Sequence, residues 1–130
     1  MRVLIDTSAW IHFFRDSNPA IREKVQKLLL EDKAVICPII LQEILQGMRT
    51  EDEAQRISHF FNFLPQLKVD PYVVAFGAAE IYRNCRKMGI TVRKSQDCQI
   101  AFLANLEGTP LLHDDRDFVN IGKAIDLQFY

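Results

Sequence analysis

The chain alternates short apolar runs with longer stretches in which apolar residues recur at helical spacing. The short runs are typical of buried strands. They predict strands at residues 2–5, 33–37, 67–69, 110–113 and 125–129. The longer stretches predict helices that begin near residues 8, 19, 38, 50, 71 and 95.

Residues with known preferences for helix ends mark these boundaries. Asn18 followed by Pro19 is a favourable helix start, because proline fits the first helical position. Thr50 and Glu53 have the spacing of a capping box. Gly89 and Gly108 end the last two long helices.

Short strands that alternate with helices indicate βαβ units and a mainly parallel sheet. We therefore expect a three-layer α/β/α sandwich, with helices on both faces of the central sheet. A chain of 130 residues is expected to form one domain, spanning residues 1–130. In such folds ligands bind beyond the carboxyl ends of the strands.

Composition narrows the class of protein. The longest apolar stretch, residues 72–79, is too short for a membrane span, and Asp6 interrupts the first apolar run before it could act as a signal peptide. Cys37, Cys85 and Cys98 have no paired-ligand spacing, so we expect reduced thiols in the core of a cytoplasmic protein.

The net charge of −1, from 16 basic and 17 acidic residues, argues against a nucleic-acid partner only if the acids are spread evenly. Several acids instead fall at positions where acids are unusual. Asp6 directly follows the first strand, and Asp115 and Asp117 follow the strand at 110–113. Turns, helix caps and solvated loops are the alternative explanation for all three.

Two further acids share helix faces with apolar residues. Glu43 lies on the face of Ile40 and Ile44, and Asp97 lies on the face of Ile100 and Ala101. Acids are almost never fully buried without a partner. A favourable interaction with the helix dipole explains why Asp97 is in a first turn, but not why it faces inward.

Together these acids predict a carboxylate cluster at one edge of the sheet. Clustered carboxylates repel each other, and a divalent cation relieves that repulsion. Oxygen ligands without His or Cys at metal spacing favour Mg²⁺ or Mn²⁺ over Zn²⁺. If four of the 17 acids hold such an ion, the rest of the protein is mildly basic, which removes the objection to a nucleic-acid partner.

The motifs Asp6-Thr7-Ser8, Glu43, 97–101 and 113–118, in this order, resemble the PIN domain. Within that family they most resemble the VapC-type toxin ribonucleases of toxin–antitoxin operons. The resemblance implies an endoribonuclease dependent on Mg²⁺ or Mn²⁺. It also implies an RNA substrate, a cognate antitoxin, a homodimer and no membrane partner.

The resemblance assigns roles residue by residue. Asp6, Glu43, Asp97 and Asp115 match the catalytic acids that hold the metal, and Asp117 matches a frequent fifth acid. Ser8 matches a hydroxyl residue that supports the first acid. His113 departs from the family pattern, in which many relatives carry Thr or Ser; it either contacts phosphate or packs at the strand end.

Basic residues before Asp97 are candidates for RNA contacts. Residues 81–96 hold five basic residues and no acid, although a solvated helix face would give the same pattern. Trp10 and Phe13 could stack on a base, but aromatic residues at helical spacing are more often core. The candidate RNA-binding residues are Arg93, Lys94, Arg116 and Arg86.

Three other functions remain to be separated from this one. A catalytically silent PIN fold would serve as an RNA- or partner-binding module. A receiver-type phospho-acceptor domain would need an acid pair near the first strand, an Asp at a central strand exit and a late Lys. Here the second strand ends in Ile36-Cys37-Pro38, Asp70 is only a helix cap, and the late strand ends in acids rather than Lys. A haloacid-type phosphatase would need Asp-x-Asp after the first strand, where Asp6-Thr7-Ser8 stands.

Overall fold

The computed structural model describes residues 1–130 and contains a parallel sheet of three short strands. The middle strand is β1, and Leu4 in it pairs with Val35 on one side and with Leu111 on the other. The sheet order is β2-β1-β3. The strands are β1 (Val3–Ile5), β2 (Ala34–Val35) and β3 (Leu111–Leu112).

The strands predicted at residues 67–69 and 125–129 are wrong, since neither segment forms a strand. Beside β2 there is one isolated parallel bridge, between Ile36 and Gln66; residues 67–69 form no strand, and the next helix begins at Pro71. Beside β3 a second isolated bridge joins Leu111 and Phe129. Each edge therefore keeps the predicted parallel direction, but only at a single residue.

Seven helices connect and cover these strands, and six of them start where the sequence predicts. The seventh is a short helix after β3. None of the seven is long and apolar enough to cross a lipid bilayer. The helices are α1 (Thr7–Arg15), α2 (Pro19–Leu30), α3 (Pro38–Gln46), α4 (Glu51–Phe61), α5 (Pro71–Lys87), α6 (Gln96–Leu106) and α7 (Arg116–Ile121).

Every residue of the three strands is buried. Successive side chains of a strand point to opposite faces, so helices must cover both faces of the sheet, as the predicted sandwich requires. The largest fully buried side chains include Trp10, Phe61 and Phe118. The three cysteines are buried and free, as predicted for core thiols.

The contact between α5 and α6 depends on a glycine. A Cβ atom built on Gly77 would lie 2.0 Å from Cε1 of Phe102, far inside van der Waals contact. The missing side chain therefore lets the Phe102 ring of α6 lie directly on the α5 backbone. This contact sets the position of α6, which carries Asp97.

We predict that Gly77→Ala lowers the free energy of unfolding by about 1–2 kcal/mol, because the displaced Phe102 ring costs more than the gain in helix propensity. Urea denaturation measures this change. Gly47→Ala is the matched control, since its Cβ would make only ordinary contacts, the nearest at 3.4 Å. Equal stability of the two variants would contradict this account of the α5–α6 contact.

Candidate metal centre

Two acids cap helices at the carboxyl edge of the sheet. Asp6 follows β1, and its Oδ2 accepts a hydrogen bond of 3.0 Å from the backbone N–H of Ser8. Asp115 follows β3, and its Oδ1 accepts one of 3.0 Å from the N–H of Asp117. Capping, the alternative explanation for these acids, is therefore real, but it occupies only one oxygen of each carboxylate.

Three carboxylates form a tight cluster at this edge. Asp97, Asp115 and Asp117 each offer an oxygen, and these oxygens lie within 4.8 Å of one another. Asp97 is 1% exposed, and neither of its oxygens has a hydrogen-bond partner. Asp117, the fifth acid of the sequence prediction, is thus one of the three members of the cluster.

The pKa values of Asp97 and Asp117 shift in opposite directions. Burial, the adjacent Asp117 carboxylate and the charges of Asp6 and Asp115 raise the pKa of Asp97 to about 8. Burial also acts to raise the pKa of Asp117, but the neighbouring Asp97 carboxyl and hydrogen bonds from Arg93 and the Lys94 backbone outweigh it, so that pKa is lowered. Asp97 is therefore the acid of this cluster whose ionised form is least stabilised by other groups of the protein.

Arg93 and Lys94 lie against the cluster. The Arg93 guanidinium bonds Asp117 Oδ1 through Nε at 3.1 Å and Asp115 Oδ1 through a terminal nitrogen at 2.8 Å. The Lys94 ammonium lies 3.1 Å from Asp115 Oδ2 and 3.9 Å from Asp97 Oδ2. Both residues were predicted to contact RNA; the structure pairs them with the acids, and their contact with RNA stays a prediction.

Asp6 and Glu43 lie beside the cluster of three rather than within it. Glu43 is half-buried on α3, and the Thr7 hydroxyl donates to its Oε1 at 3.2 Å. Burial and then the charge of Asp6 raise the pKa of Glu43. Burial likewise raises the pKa of Asp6, which is 2% exposed, against two hydrogen bonds from Ser8.

Ser8 links the first acid to the loop that carries the fourth. Its hydroxyl donates to Asp6 Oδ2 at 2.6 Å and accepts from the backbone N–H of Asp114 at 2.8 Å. The Asp114 carboxylate in turn lies 2.7 Å from Nε2 of His12, whose Nδ1 lies 2.8 Å from the Ser17 hydroxyl. This network joins α1 to the segment between β3 and α7.

Sequence reasoning missed Thr7, His12 and Asp114 as parts of this arrangement. Thr7 had a signal, because it stands between two residues that were singled out. His12 had none, since its partner Asp114 is 102 positions away in the chain. Asp114 was not among the predicted site residues, and its contacts with His12 and Ser8 hold the loop against α1.

His113 packs at the strand end, one of its two predicted roles. Its ring lies 5.2 Å from that of Phe118 and 4.7 Å from that of Phe129. Its Nδ1 accepts the N–H of Asp115 at 3.1 Å, and burial lowers its pKa. The ring therefore supports the backbone of the fourth acid.

The remaining candidates divide into core and surface. Trp10 is fully buried in an aromatic cluster with Phe14 and Phe61, which makes it a core residue rather than a base-stacking one. Arg86 and Arg116 are exposed and form no ion pair.

The donor set of the cluster fits a hard divalent cation. All the converging groups are carboxylates, and the two buried Asp97 oxygens lack any partner that would satisfy them. An unpaired buried carboxylate is costly, so a cation is the natural complement to this site.

The sequence matches the PIN domain family over residues 3–124. The chain belongs to the PIN domain family. This membership removes the receiver-domain and haloacid-phosphatase alternatives, and it agrees with the observed parallel sheet and its helices.

Two curated relatives are similar to this PIN domain over nearly its whole length. It is 40% identical over 128 residues to Ribonuclease VapC11 of Mycobacterium tuberculosis, covering 97% of this chain and 96% of that protein. It has the same identity and coverage with VapC ribonuclease Mb1587 of Mycobacterium bovis.

Solved structures share the fold of this PIN domain at low sequence identity. VapBC2 from Rickettsia felis, bound to a promoter DNA fragment, matches with a TM-score of 0.76 and 15% identity over 100% of this chain and 98% of that chain. VapBC-1 from nontypeable Haemophilus influenzae matches with a TM-score of 0.75 and 20% identity over 100% and 97%.

The raised pKa of Asp97 predicts a pH-dependent stability. In the unfolded chain an aspartate titrates near pH ~4, so the folded protein holds a proton between that pH and about 8 that the unfolded chain loses. The stability this proton contributes is complete at low pH and is lost as the pH rises to about 8.

Because asparagine cannot ionise, we expect the stability of Asp97→Asn relative to wild type to increase from pH 5 to pH 8 and then level off. Urea denaturation in EDTA measures the difference. Asp126→Asn, at an exposed position, should show no such trend. A constant Asp97→Asn difference across this range would be evidence against the raised pKa.

Ser8→Ala removes two hydrogen bonds that join Asp6 to the loop of Asp115. We expect a loss of about 1–2 kcal/mol in the free energy of unfolding and roughly 10-fold weaker binding of Mn²⁺. Denaturation and calorimetric titration measure the two effects. Ser8→Thr keeps the hydroxyl and should retain both properties; equal losses in the Thr and Ala variants would refute the role of the hydroxyl.

Proposed function

We propose that this PIN domain is a Mg²⁺- or Mn²⁺-dependent endoribonuclease. The observation that carries the proposal is the cluster of Asp97, Asp115 and Asp117, in which the buried Asp97 carboxylate has no hydrogen-bond partner. Metal-dependent nucleases use such a site, because the coordination of a bound cation is completed by oxygens of the substrate phosphate.

The proposed roles follow from the contacts of each acid. Asp97, Asp115 and Asp117 hold the ion, with Asp6 beside them as a fourth ligand. When bound, Mg²⁺ or Mn²⁺ neutralises charge on the phosphate oxygens and lowers the pKa of an attacking water. Ser8 keeps Asp6 in place through the 2.6 Å hydrogen bond.

Glu43 is suited to orient the attacking water. Its Oε1 accepts from Thr7, which leaves Oε2 available to accept a hydrogen bond from a water molecule. Its raised pKa makes it a better proton acceptor than a fully solvated carboxylate. Hydrolysis at this site is expected to leave 5′-phosphate and 3′-hydroxyl ends.

The biological role we propose is that of the toxin in a type II toxin–antitoxin pair, acting as a cytoplasmic homodimer. Relatives at 40% identity are named VapC ribonucleases, and the fold matches solved VapBC complexes. A groove of about 420 Å³ beside Glu43 offers a place for the antitoxin. Its walls include Ile11, Phe14 and Met48, with Arg15 and Arg49 at the edge.

Catalysis through the acid cluster predicts that Asp6→Asn and Asp97→Asn each lower the rate of RNA cleavage by about 100-fold or more in Mg²⁺ or Mn²⁺. Gel electrophoresis of an end-labelled RNA measures the rate, with circular dichroism to check folding. Asp126→Asn, an exposed acid, is the matched control and should cleave at the wild-type rate.

Activity of wild type that survives EDTA, or full activity of Asp97→Asn, would overturn the metal-nuclease proposal. The toxin role has its own test. Expression of wild type, but not of Asp97→Asn, should arrest growth, and co-expression of the neighbouring antitoxin gene should relieve the arrest.

A further inference from the structure

A basic groove lies between α5 and the start of α6. Its volume is about 560 Å³, and three alanines are among the residues that line it. The polar part of its lining consists of Tyr82, Arg83, Arg86, Ser95 and Gln99. No carboxylate lines it.

The two arginines of this groove are free to bind a ligand. Neither Arg83 nor Arg86 forms an ion pair or a side-chain hydrogen bond within the protein. Arg93 and Lys94 differ, because the acids of the metal centre already hold them. The groove thus carries the free positive charge that the sequence analysis had placed nearer to Asp97.

The groove reaches the first turn of α6, the helix that carries Asp97. Ser95 is the N-cap residue of α6, and Asp97 follows it two positions later. The Ser95 side chain makes no capping hydrogen bond, so its hydroxyl can donate to a ligand. One end of the groove is therefore in the same helical turn as Asp97, although the Ser95 and Asp97 side chains leave the helix in different directions.

We propose that this groove binds the sugar–phosphate backbone of single-stranded RNA next to the bond that is cleaved. This inference rests on the proposed nuclease function and names a substrate-binding surface for it. The guanidinium group of an arginine can donate two parallel hydrogen bonds to the oxygens of a phosphate. The Tyr82 ring, 40% exposed, offers a stacking face for an unpaired base.

Single-stranded RNA fits this surface better than an acidic protein segment does. The small side chains of the alanines in the groove leave room for a flat base beside Tyr82. Bases are accessible for stacking only when they are unpaired. An acidic peptide would use the two arginines but would gain little from the exposed tyrosine ring.

The test compares Arg83→Glu/Arg86→Glu with a matched control, Lys27→Glu/Lys123→Glu, which makes the same charge change at exposed residues outside the groove. Fluorescence anisotropy of a labelled single-stranded RNA in EDTA gives the dissociation constant over a range of salt concentrations. Thermal denaturation checks that both variants fold.

We expect the groove variant to bind RNA at least 10-fold more weakly than the control, with a salt dependence flatter by roughly 1.4 in log–log slope, the value for two lost phosphate contacts on a single strand. Tyr82→Leu should weaken binding about 10-fold without changing that slope. Equal affinity and equal slope for the groove and control variants would overturn the proposal. It would also be overturned if the groove variant lost binding to polyglutamate, a model of an acidic protein segment, but kept its binding to RNA.

Failure of the groove and failure of the nuclease can be told apart. Wild type and the groove variant should hydrolyse a dinucleotide, whose only internucleotide phosphate is the one that is cleaved, at equal rates in Mn²⁺. Absence of dinucleotide and RNA cleavage in wild type would refute the nuclease, whereas equal RNA affinity in a cleaving protein would refute only the groove.

Discussion

The arrangement of this protein depends on the burial of several like charges at one edge of a small sheet. Asp97 lies close to Asp115 and Asp117, the charge of Asp6 also acts on it, and burial keeps water away from its oxygens. Arg93 and Lys94 offset the charge of the pair, and the Asp117 carboxylate also accepts backbone N–H groups from both. Asp97 has only the Lys94 ammonium at 3.9 Å, too long for a hydrogen bond. Contacts within the protein therefore leave the Asp97 carboxylate without a partner, and a divalent cation is the group that would supply one.

The parallel sheet explains how acids so distant in sequence meet. β1 and β3 are neighbours and run in the same direction, so the residues after them, Asp6 and Asp115, leave the sheet at the same edge. The contact of α5 with α6 at Gly77 then brings the first turn of α6 to that edge. Small displacements of these residues would lower the stability of the fold, because a buried carboxylate that moves away from its partners loses the contacts that offset its burial. The Ser8–Asp114–His12 network supplies the rigidity that the short strands cannot.

The local sequence pattern was sufficient to predict the fold class and to single out acids that lie at this edge of the sheet. Asp6 and Asp115 were found because strand exits are visible in sequence, and Asp97 because its i+3 and i+4 neighbours are apolar. The pattern could not show the partners of these acids. Arg93 reaches Asp115 across 22 positions, so a basic residue that seemed free for RNA is held by the metal centre. Nor could it reveal that residues 67–69 form no strand and that residues 125–129 make only one bridge, since apolar residues can be buried without strand pairing.

Calorimetric titration of Mg²⁺ into the wild-type protein at pH 7, in buffers of different ionisation enthalpy, tests the central claim most directly. With the pKa of Asp97 at about 8, the free protein carries a proton there that a cation must displace. The account predicts a binding event that releases close to one proton per protein molecule at pH 7, and no comparable event in Asp97→Asn. Absence of binding, or binding without proton release, would contradict it.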